Sequence, residues 1–276
     1  MKAIIPAAGH GTRFLPVTKV VPKEMLPIGA KPALELIVEE AKSAGADEIV
    51  LVISHGKELI REYFKDDPAI RFVYQEEQKG LGHAVLMAAG SVTEENVLVL
   101  LGDCLVAGCN AAKAMAEVSA ANGGASVIGL ERVPQEKVSR YGIVKPRSEV
   151  GGRRSEVEGR RSEAVVEIGD LVEKPSPEEA PSDLAIAGRY LLGAEIFDYL
   201  RTQTPGKGGE IQLTDAIRRM IGATPESPNH PTTESPNHPI TQSPHSLFGY
   251  VYPGKRQDIG NPKGYFEALK AMGANE

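Results

Sequence analysis

The 276-residue chain carries a formal net charge of −6, with 41% hydrophobic and 25% charged residues. That length buries a full core in an ordinary soluble composition, and no apolar run approaches the ~20 residues of a membrane helix. The acidic balance argues against a nucleic-acid polymer as partner, and Cys104 and Cys109 are too few for a disulfide framework or a zinc site, so reduced thiols are expected. The opening "MKAIIPAAG" enters a strand-like run without a signal-peptide pattern, which makes a cytoplasmic location the expectation.

In chain order, strand-like "KAII" leads into a glycine turn. "ALELIVEEAKSAG" places Leu34, Ile37, Val38 and Ala41 on one helix face, ended by Gly45, and "EIVLVI" follows as a buried strand. Helix-like "KELIREYF", strand-like "IRFVYQ", helix-like "GHAVLMAAG" and strand-like "VLVLLGD" complete an alternating series. The pattern predicts an α/β fold with a parallel sheet and crossover helices, in which ligands bind beyond the carboxyl ends of the strands. Gly9, Gln75 and Asp103 each lie just past such an end.

From about residue 125 the segments become extended: "ASVIGLERV", "YGIVKP", "AVVEIGDLVEKP" and "LAIAGRYLL". Helix-like "AEIFDYLR" and "EIQLTDAIRRMI", extended "LFGYVYP" and helix-like "PKGYFEALKAM" end the chain. We expect one domain, with residues 1–124 forming a nucleotide-binding part and 125–276 adding strands and helices. Residues 148–163 repeat on a seven-residue period and 226–245 on an eight-residue, proline-rich one. Neither pattern supports a coiled coil or a solenoid, so both are expected as mobile surface loops. His230, His238 and His245 in the second repeat are poor candidates for a metal site.

The first loop, "PAAGHGTRFLP", lacks the third glycine of a dinucleotide fingerprint, where Phe14 stands instead. Pro16 and Pro22 bracket the β-branched "VTKVV", so no helix opens there, and no G-K-[ST] follows as in a Walker A loop. What remains is a turn whose backbone N–H groups can approach phosphates or a base, followed by Arg13, Lys19 and Lys23. Backbone donors and converging cations suit a triphosphate.

"AAGHGTRFLPVTKVVPKEMLPI" resembles the signature loop of the sugar-1-phosphate nucleotidylyltransferases, and "PKEMLPI" is similar to the bacterial UTP–glucose-1-phosphate uridylyltransferases in particular. Further blocks follow in the family's order: "GLGHAV", "LGD", "YGIV", "VEKP", "AGRYLL", "GEIQLTDAI" and "GKRQDIGNPKGY". The resemblance implies a Rossmann-like, mixed but mainly parallel central sheet flanked by helices, of the nucleotide-diphospho-sugar transferase type, with added sugar-binding elements. It implies that UTP and glucose 1-phosphate give UDP-glucose and pyrophosphate, by in-line attack of the sugar phosphate on the α-phosphorus. No protein nucleophile is needed, because positioning and charge neutralisation carry the step.

Carried over to this chain, the resemblance puts Arg13 and Lys23 on the triphosphate and Lys174 on the sugar phosphate. Asp103 and Asp258 are the expected Mg²⁺ ligands. Glu173 would meet sugar hydroxyls, while Gly142 and Gly188 would let backbone approach the sugar. Both Glu173 and Lys174 reach one ligand only if the strand bends, for which Pro175 gives a reason. The nucleotide would lie on Ala8, Gly9, Gly11, Thr12, Glu24, Gln75 and Gly80, with Gln75 and Gly80 reading the uracil edge. His83 is expected to serve packing or the helix start, and family resemblance suggests a homo-oligomer.

Three rival readings stand beside this one. A relative using dTTP or CTP, or another sugar phosphate, is the nearest, since a single methyl group distinguishes pyrimidines by only ~1–3 kcal/mol. A non-catalytic regulatory paralogue is weighed against by intact Asp103, Asp258, Lys23 and Lys174. A dinucleotide-binding oxidoreductase is disfavoured by the missing glycine.

Overall fold

The computed structural model describes residues 1–147, 156–157, 160–161, 165–222 and 246–272. The chain forms β1 (Lys2–Pro6), then the minimal hairpin of β2 (Pro27–Ile28) and β3 (Lys31–Pro32). Next come α1 (Ala33–Ser43), β4 (Glu48–Ile53), α2 (Glu58–Phe64), β5 (Ile70–Tyr74), α3 (Leu81–Met87) and β6 (Asn96–Leu100). After these follow β7 (Cys104–Ala107), α4 (Ala111–Ala121), β8 (Ser126–Arg132) and β9 (Gly142–Pro146), and then the short β10 (Glu156–Val157) and β11 (Arg160–Arg161). The remainder is β12 (Val165–Glu173), β13 (Leu184–Gly193), α5 (Ile196–Arg201), α6 (Leu213–Gly222), β14 (Leu247–Val251), β15 (Lys255–Asp258) and α7 (Pro262–Met272).

The main sheet runs in the order β5-β4-β1-β6-β13-β8-β14-β12-β9. Its first four strands are parallel, as the alternating pattern anticipates. The expectation of a mainly parallel, Rossmann-like sheet fails beyond β6. There β13 runs antiparallel to both neighbours, β12 runs antiparallel to β14 and β9, and only β14 with β8 is parallel. The reason lies in the connections: several segments after residue 125 are joined without the crossover helix that parallel pairing requires. The far end also closes on itself, because β9 pairs with β13 at Ile143 and Ala185. The architecture is thus mixed α/β with a partly closed sheet.

Helices cover both faces. Successive residues of β4 alternate between two cores: Ile49, Leu51 and Ile53 face α1, α2, α4 and α7, while Val50 and Val52 face α3, α5 and α6. This explains why "IVLVI", the strand after Glu48, is apolar throughout, since a strand covered on both sides has no solvent face. The face of α1 holding Leu34, Ile37, Val38 and Ala41 is buried, as its spacing predicts. Two elements are easily missed in the sequence: α4, capped by Asn110 accepting from the Lys113 N–H, and the antiparallel pair β7 and β15. No helix of the described residues is long and apolar enough to cross a membrane. Of the first repeat only the ladder of β10 with β11 is described, and the second repeat, with His230, His238 and His245, lies outside the described residues.

Arg189 on β13 is fully buried, and its guanidinium holds Glu40 of α1 through Nε at 3.0 and 3.1 Å and Nη2 at 2.7 Å. The same group donates to the carbonyls of Cys104 at 2.8 Å and Gly188 at 3.1 Å. Glu40 in turn accepts the Ala112 N–H at the start of α4, at 3.3 Å. Burial opposes the charge on Arg189, but Glu40 outweighs it and raises the guanidinium's pKa further. Breaking such a pair strands the remaining charge in the core. Urea unfolding of Arg189→Met is expected to show a loss of ~3–5 kcal/mol, partly recovered in Arg189→Met/Glu40→Leu. Equal stability of Arg189→Met and the parent would show that the pair does not brace the fold.

Candidate active site

Along the parallel strands the chain steps from β1 outward to β4 and β5, then returns to the other side of β1 as β6. The carboxyl ends of β1 and β6 therefore flank a reversal of strand order, where a crevice must open. The glycine turn follows β1 and Asp103 follows β6, and here lies a cavity of about 590 Å³. It is lined by Ala8, Gly9, Arg13, Lys23, Glu24, Gln75, Gly80, Asp103, Gly142, Glu173, Lys174, Gly188 and Asp258. Close approach of the strands is set by Gly102, whose N–H donates to the Pro6 carbonyl at 3.2 Å. A Cβ there would come within 2.7 Å of that oxygen.

Two expected residues fall outside the cavity lining. Gly11 takes a left-handed φ of 67° and its carbonyl accepts from the Thr18 hydroxyl at 2.8 Å, so it shapes the turn, and Thr12 beside it is exposed. The signature loop contains three single 3₁₀ turns, Thr12–Phe14, Val17–Lys19 and Lys23–Met25, and no α-helix, in line with its prolines. Lys19 is exposed away from the cavity.

Charges alternate along one buried line. Lys57 grips both oxygens of Glu24 at 2.8 and 2.9 Å and also donates to the Ala7 carbonyl. Glu24 lies 3.8 Å from the Lys23 ammonium, which donates to Asp103. Glu24 is only 1% exposed, so its carboxylate holds the two lysines more directly than it faces a ligand. Burial lowers the pKa of Lys57, with Glu24 resisting. For Lys23 burial also opposes the charge, yet Asp103 and Glu24 together raise its pKa. Asp103 shows the mirror case: burial works against ionisation, but Lys23 and then Arg13 hold its carboxyl below the usual value.

Asp258 reaches this point from far along the chain through the β7–β15 ladder, which pairs it with Cys104. The Ile259 N–H donates to the Asp103 carbonyl at 3.0 Å. Gly260 marks the meeting: a Cβ there would lie 2.8 Å from Asp103 Oδ2 and 3.0 Å from Asp258 Oδ1. Two carboxylates thus flank one point at the edge of the cavity. Among the described residues no group of three or more His, Cys, Asp or Glu side chains gathers elsewhere.

The expected bend in "VEKP" falls on Lys174, whose φ is 48°, a left-handed conformation uncommon outside glycine. It ends the face alternation of β12, and Glu173 and Lys174 both line the cavity, 3.1 Å apart. Hydrogen bonds fix the bend on both sides: the Lys174 N–H donates to the Tyr141 carbonyl at 3.0 Å, and Lys207 Nζ donates to the Lys174 carbonyl at 2.5 Å. Opposite, Gly188 sits at φ 75° where the register of β13 shifts, and its carbonyl accepts the Leu101 N–H at 3.0 Å.

The "GLGHAV" and "GEIQLTDAI" blocks dock on each other. Ile211 N–H donates to the Lys79 carbonyl at 2.7 Å, and Gly82 N–H donates to the Ile211 carbonyl at 2.8 Å. A Cβ on Gly80 would sit 2.7 Å from Glu210 Cβ, and one on Gly82 would sit 2.8 Å from the Ile211 oxygen. Sequence reasoning missed Lys57, Arg140 and Arg256. Arg256 lies over the Tyr141 ring at 4.0 Å and pairs with Glu131 at 2.6 Å. The two-residue spacing of Arg256 and Asp258 would have revealed it, had "KRQD" been read as a strand. Nothing near Lys57 in sequence signals a partner 33 positions away.

A crevice at a strand-order reversal, walled by backbone donors, cations and a carboxylate pair, belongs to an enzyme that moves nucleotidyl groups. The nucleotidyl transferase family profile matches residues 2–275. A UTP–glucose-1-phosphate uridylyltransferase of Staphylococcus haemolyticus is 41% identical, over 96% of this chain and 89% of its own length, and a second from Staphylococcus saprophyticus is 38% identical with the same coverage. The fold superposes on a crystal structure of UDP-glucose pyrophosphorylase complexed with UDP-glucose, with TM-score 0.81 and 34% identity over 100% of this chain and 99% of that one. It also superposes on UTP-bound UDP-glucose pyrophosphorylase from Acinetobacter baumannii, with TM-score 0.74 and 32% identity over 99% of this chain and 95% of that one. The chain belongs to the nucleotidyl transferase family, among its bacterial UTP–glucose-1-phosphate uridylyltransferases.

Because Asp103 has a lowered folded-state pKa, its contribution to stability is present above about pH 3.8 and is lost as pH falls through that lower value. The stability difference between the parent and Asp103→Asn should therefore narrow as pH drops below 3.8 in acid titrations followed by circular dichroism. A difference that stays constant with pH would show that the Lys23 contact contributes nothing through ionisation.

Proposed function

We infer that this cleft transfers the uridylyl group of UTP to glucose 1-phosphate, releasing pyrophosphate and leaving UDP-glucose. The observation that carries the reading is convergence: residues from "PAAGHGTRF", "PKE", "LGD", "VEKP" and "QDIG", separated by up to most of the chain, line one cavity. The activity is the one named for relatives that match along 96% of the chain.

In the reaction a sugar-phosphate oxygen forms a bond to the α-phosphorus as the bond from that phosphorus to the β-phosphate bridging oxygen breaks. The electron pair leaves with pyrophosphate, and no proton has to move. Catalysis then rests on holding both phosphates in line and on offsetting charge. Arg13 and Lys23, at the mouth of the glycine turn, would take the triphosphate and the departing pyrophosphate. Lys174, presented by its left-handed bend, would hold the phosphate of the sugar substrate, with Glu173 accepting from sugar hydroxyls. Gly142 and Gly188 would admit the sugar close to backbone. The Ala8 and Gly9 backbone would support the nucleotide, with Gln75 and Gly80 at the base.

The donor set beside Gly260 suits Mg²⁺, since two carboxylates supply hard oxygens and leave positions for water and phosphate. Asp103 and Asp258 would hold the ion, which when bound would supply positive charge to the phosphate oxygens. Lys23, hydrogen-bonded to Asp103, would then sit between the metal site and the nucleotide phosphates.

Pyrophosphate release by purified protein with glucose 1-phosphate and Mg²⁺ tests the reading, with UTP, dTTP, CTP and ATP run in parallel. Release should favour UTP, stop with EDTA, and fall about 10²-fold or more in Lys23→Met and Asp103→Asn. Folded protein that releases nothing with any nucleotide would favour the non-catalytic paralogue.

A further inference from the structure

We propose that His83 is a positioning residue that locks the Gln75 side-chain amide in one orientation, and that this lock makes the base pocket select a uracil-type edge over a cytosine edge. The proposal deepens the uridylyl-transfer reading and rests on it.

Gln75 lies just past the end of β5 and is only 4% exposed, yet it lines the cavity. Its Nε2 is 3.3 Å from the Gly80 carbonyl and 2.9 Å from His83 Nδ1. A backbone carbonyl can only accept, so the amide nitrogen must face Gly80 and donate. The second Nε2 hydrogen then points to His83, where Nδ1 accepts with its lone pair, leaving the imidazole proton on Nε2. Both amide hydrogens are thereby committed inside the protein, and the carbonyl Oε1 is the group left for a ligand.

The neutral imidazole that this arrangement requires is favoured by its surroundings. Burial and then Lys79 lower the pKa of His83, while Glu77 pulls the other way without reversing the shift. The backbone around it is equally fixed, because Ile211 clamps Lys79 and Gly82 on either side of Gly80. Exposure and helix-start packing alone would require no acceptor at Nδ1.

Oε1 offers an acceptor to the base. The N3 position of uracil carries a hydrogen and satisfies it, whereas N3 of cytosine carries a lone pair and would face the oxygen unpaired. A site built around a hydrogen bond rejects a ligand lacking the matching group far better than an apolar pocket does. Thymine has the same N3–H as uracil, so the lock discriminates UTP and dTTP together from CTP. Without His83 the amide can rotate and offer Nε2 to cytosine, and the discrimination weakens.

The test measures calorimetric dissociation constants and kcat/KM for UTP, dTTP and CTP in the parent, His83→Ala and His83→Asn. Asn places an oxygen at the δ position and can accept as Nδ1 does. In His83→Ala the UTP-over-CTP preference should fall about ten-fold, with the UTP-to-dTTP ratio unchanged and kcat for UTP changed less than KM. His83→Asn should restore most of the preference. A UTP-over-CTP ratio unmoved in His83→Ala, or an equal loss for all three nucleotides, would overturn the proposal. Parent protein that binds UTP over CTP without releasing pyrophosphate would instead sink the catalytic reading, while the binding ratios still decide the role of His83.

Discussion

The buried pairing of Arg189 with Glu40 is the constraint around which the cleft is assembled. Its hydrogen bonds join four elements: α1 gives Glu40, α4 gives the Ala112 amide, β13 gives Arg189 and the Gly188 carbonyl, and the start of β7 gives the Cys104 carbonyl. Two of those contacts adjoin the site directly, since Cys104 follows Asp103 and Gly188 is the irregular residue of β13. An apolar residue at 189 could fill the space, but it could not fix the carbonyl of Cys104 in place. The cost of burying two charges is offset by hydrogen bonds from all three guanidinium nitrogens, which distinguishes a structural ion pair from a liability.

A second line of charge extends from this brace toward solvent. Lys57, Glu24, Lys23 and Asp103 alternate in sign, so each is stabilised by its neighbours and none can move alone. Glu24, Lys23 and Asp103 line the cavity, and Lys57 behind them anchors the glycine turn through the Ala7 carbonyl. Such prior arrangement is what electrostatic catalysis asks for: the groups stand in position before a substrate arrives, and little reorganisation remains for the reaction step. The opposed pKa directions of Lys57 and Lys23 follow from the same geometry. For Lys57 burial, joined by the nearby Lys23 charge, prevails over Glu24, whereas Lys23 is held up by Asp103, to which it donates, and by Glu24.

Much of this was legible in the residues because the relevant signals are local. The apolar runs of β1, β4 and β6 announce strands covered on both faces, and Gly9, Gln75 and Asp103 stand just past the ends of β1, β5 and β6. The bend in "VEKP" was also expected, because Pro175 follows and the resemblance puts both Glu173 and Lys174 toward one ligand, which a straight strand would not allow. The direction of β13 was not, since "LAIAGRYLL" reads alike in parallel and antiparallel pairing. Nor were the partnerships of Lys57 with Glu24 and Arg189 with Glu40, which join positions far apart in sequence and leave no periodic trace. His83 lies only eight residues from Gln75, yet its local context suggests a helix start and gives no sign that the two side chains meet.

The segment from Lys207 to Leu213 ties these parts into one cleft. At one end Lys207 donates to the carbonyl of Lys174, the residue at the left-handed bend. Four residues on, Ile211 bonds to Lys79 and Gly82 and so frames the backbone against which Gln75 and His83 meet. Gln212 ties the middle of the segment to itself, donating to the Lys207 carbonyl at 3.0 Å. The glycines at 80 and 82 are needed because the strut lies too close for any side chain. One short stretch of backbone therefore sets the spacing between Gln75 with His83 and Lys174. In the uridylyl-transfer reading proposed above, the same contacts would set both recognition of the base and placement of the attacking phosphate, on which an in-line attack depends.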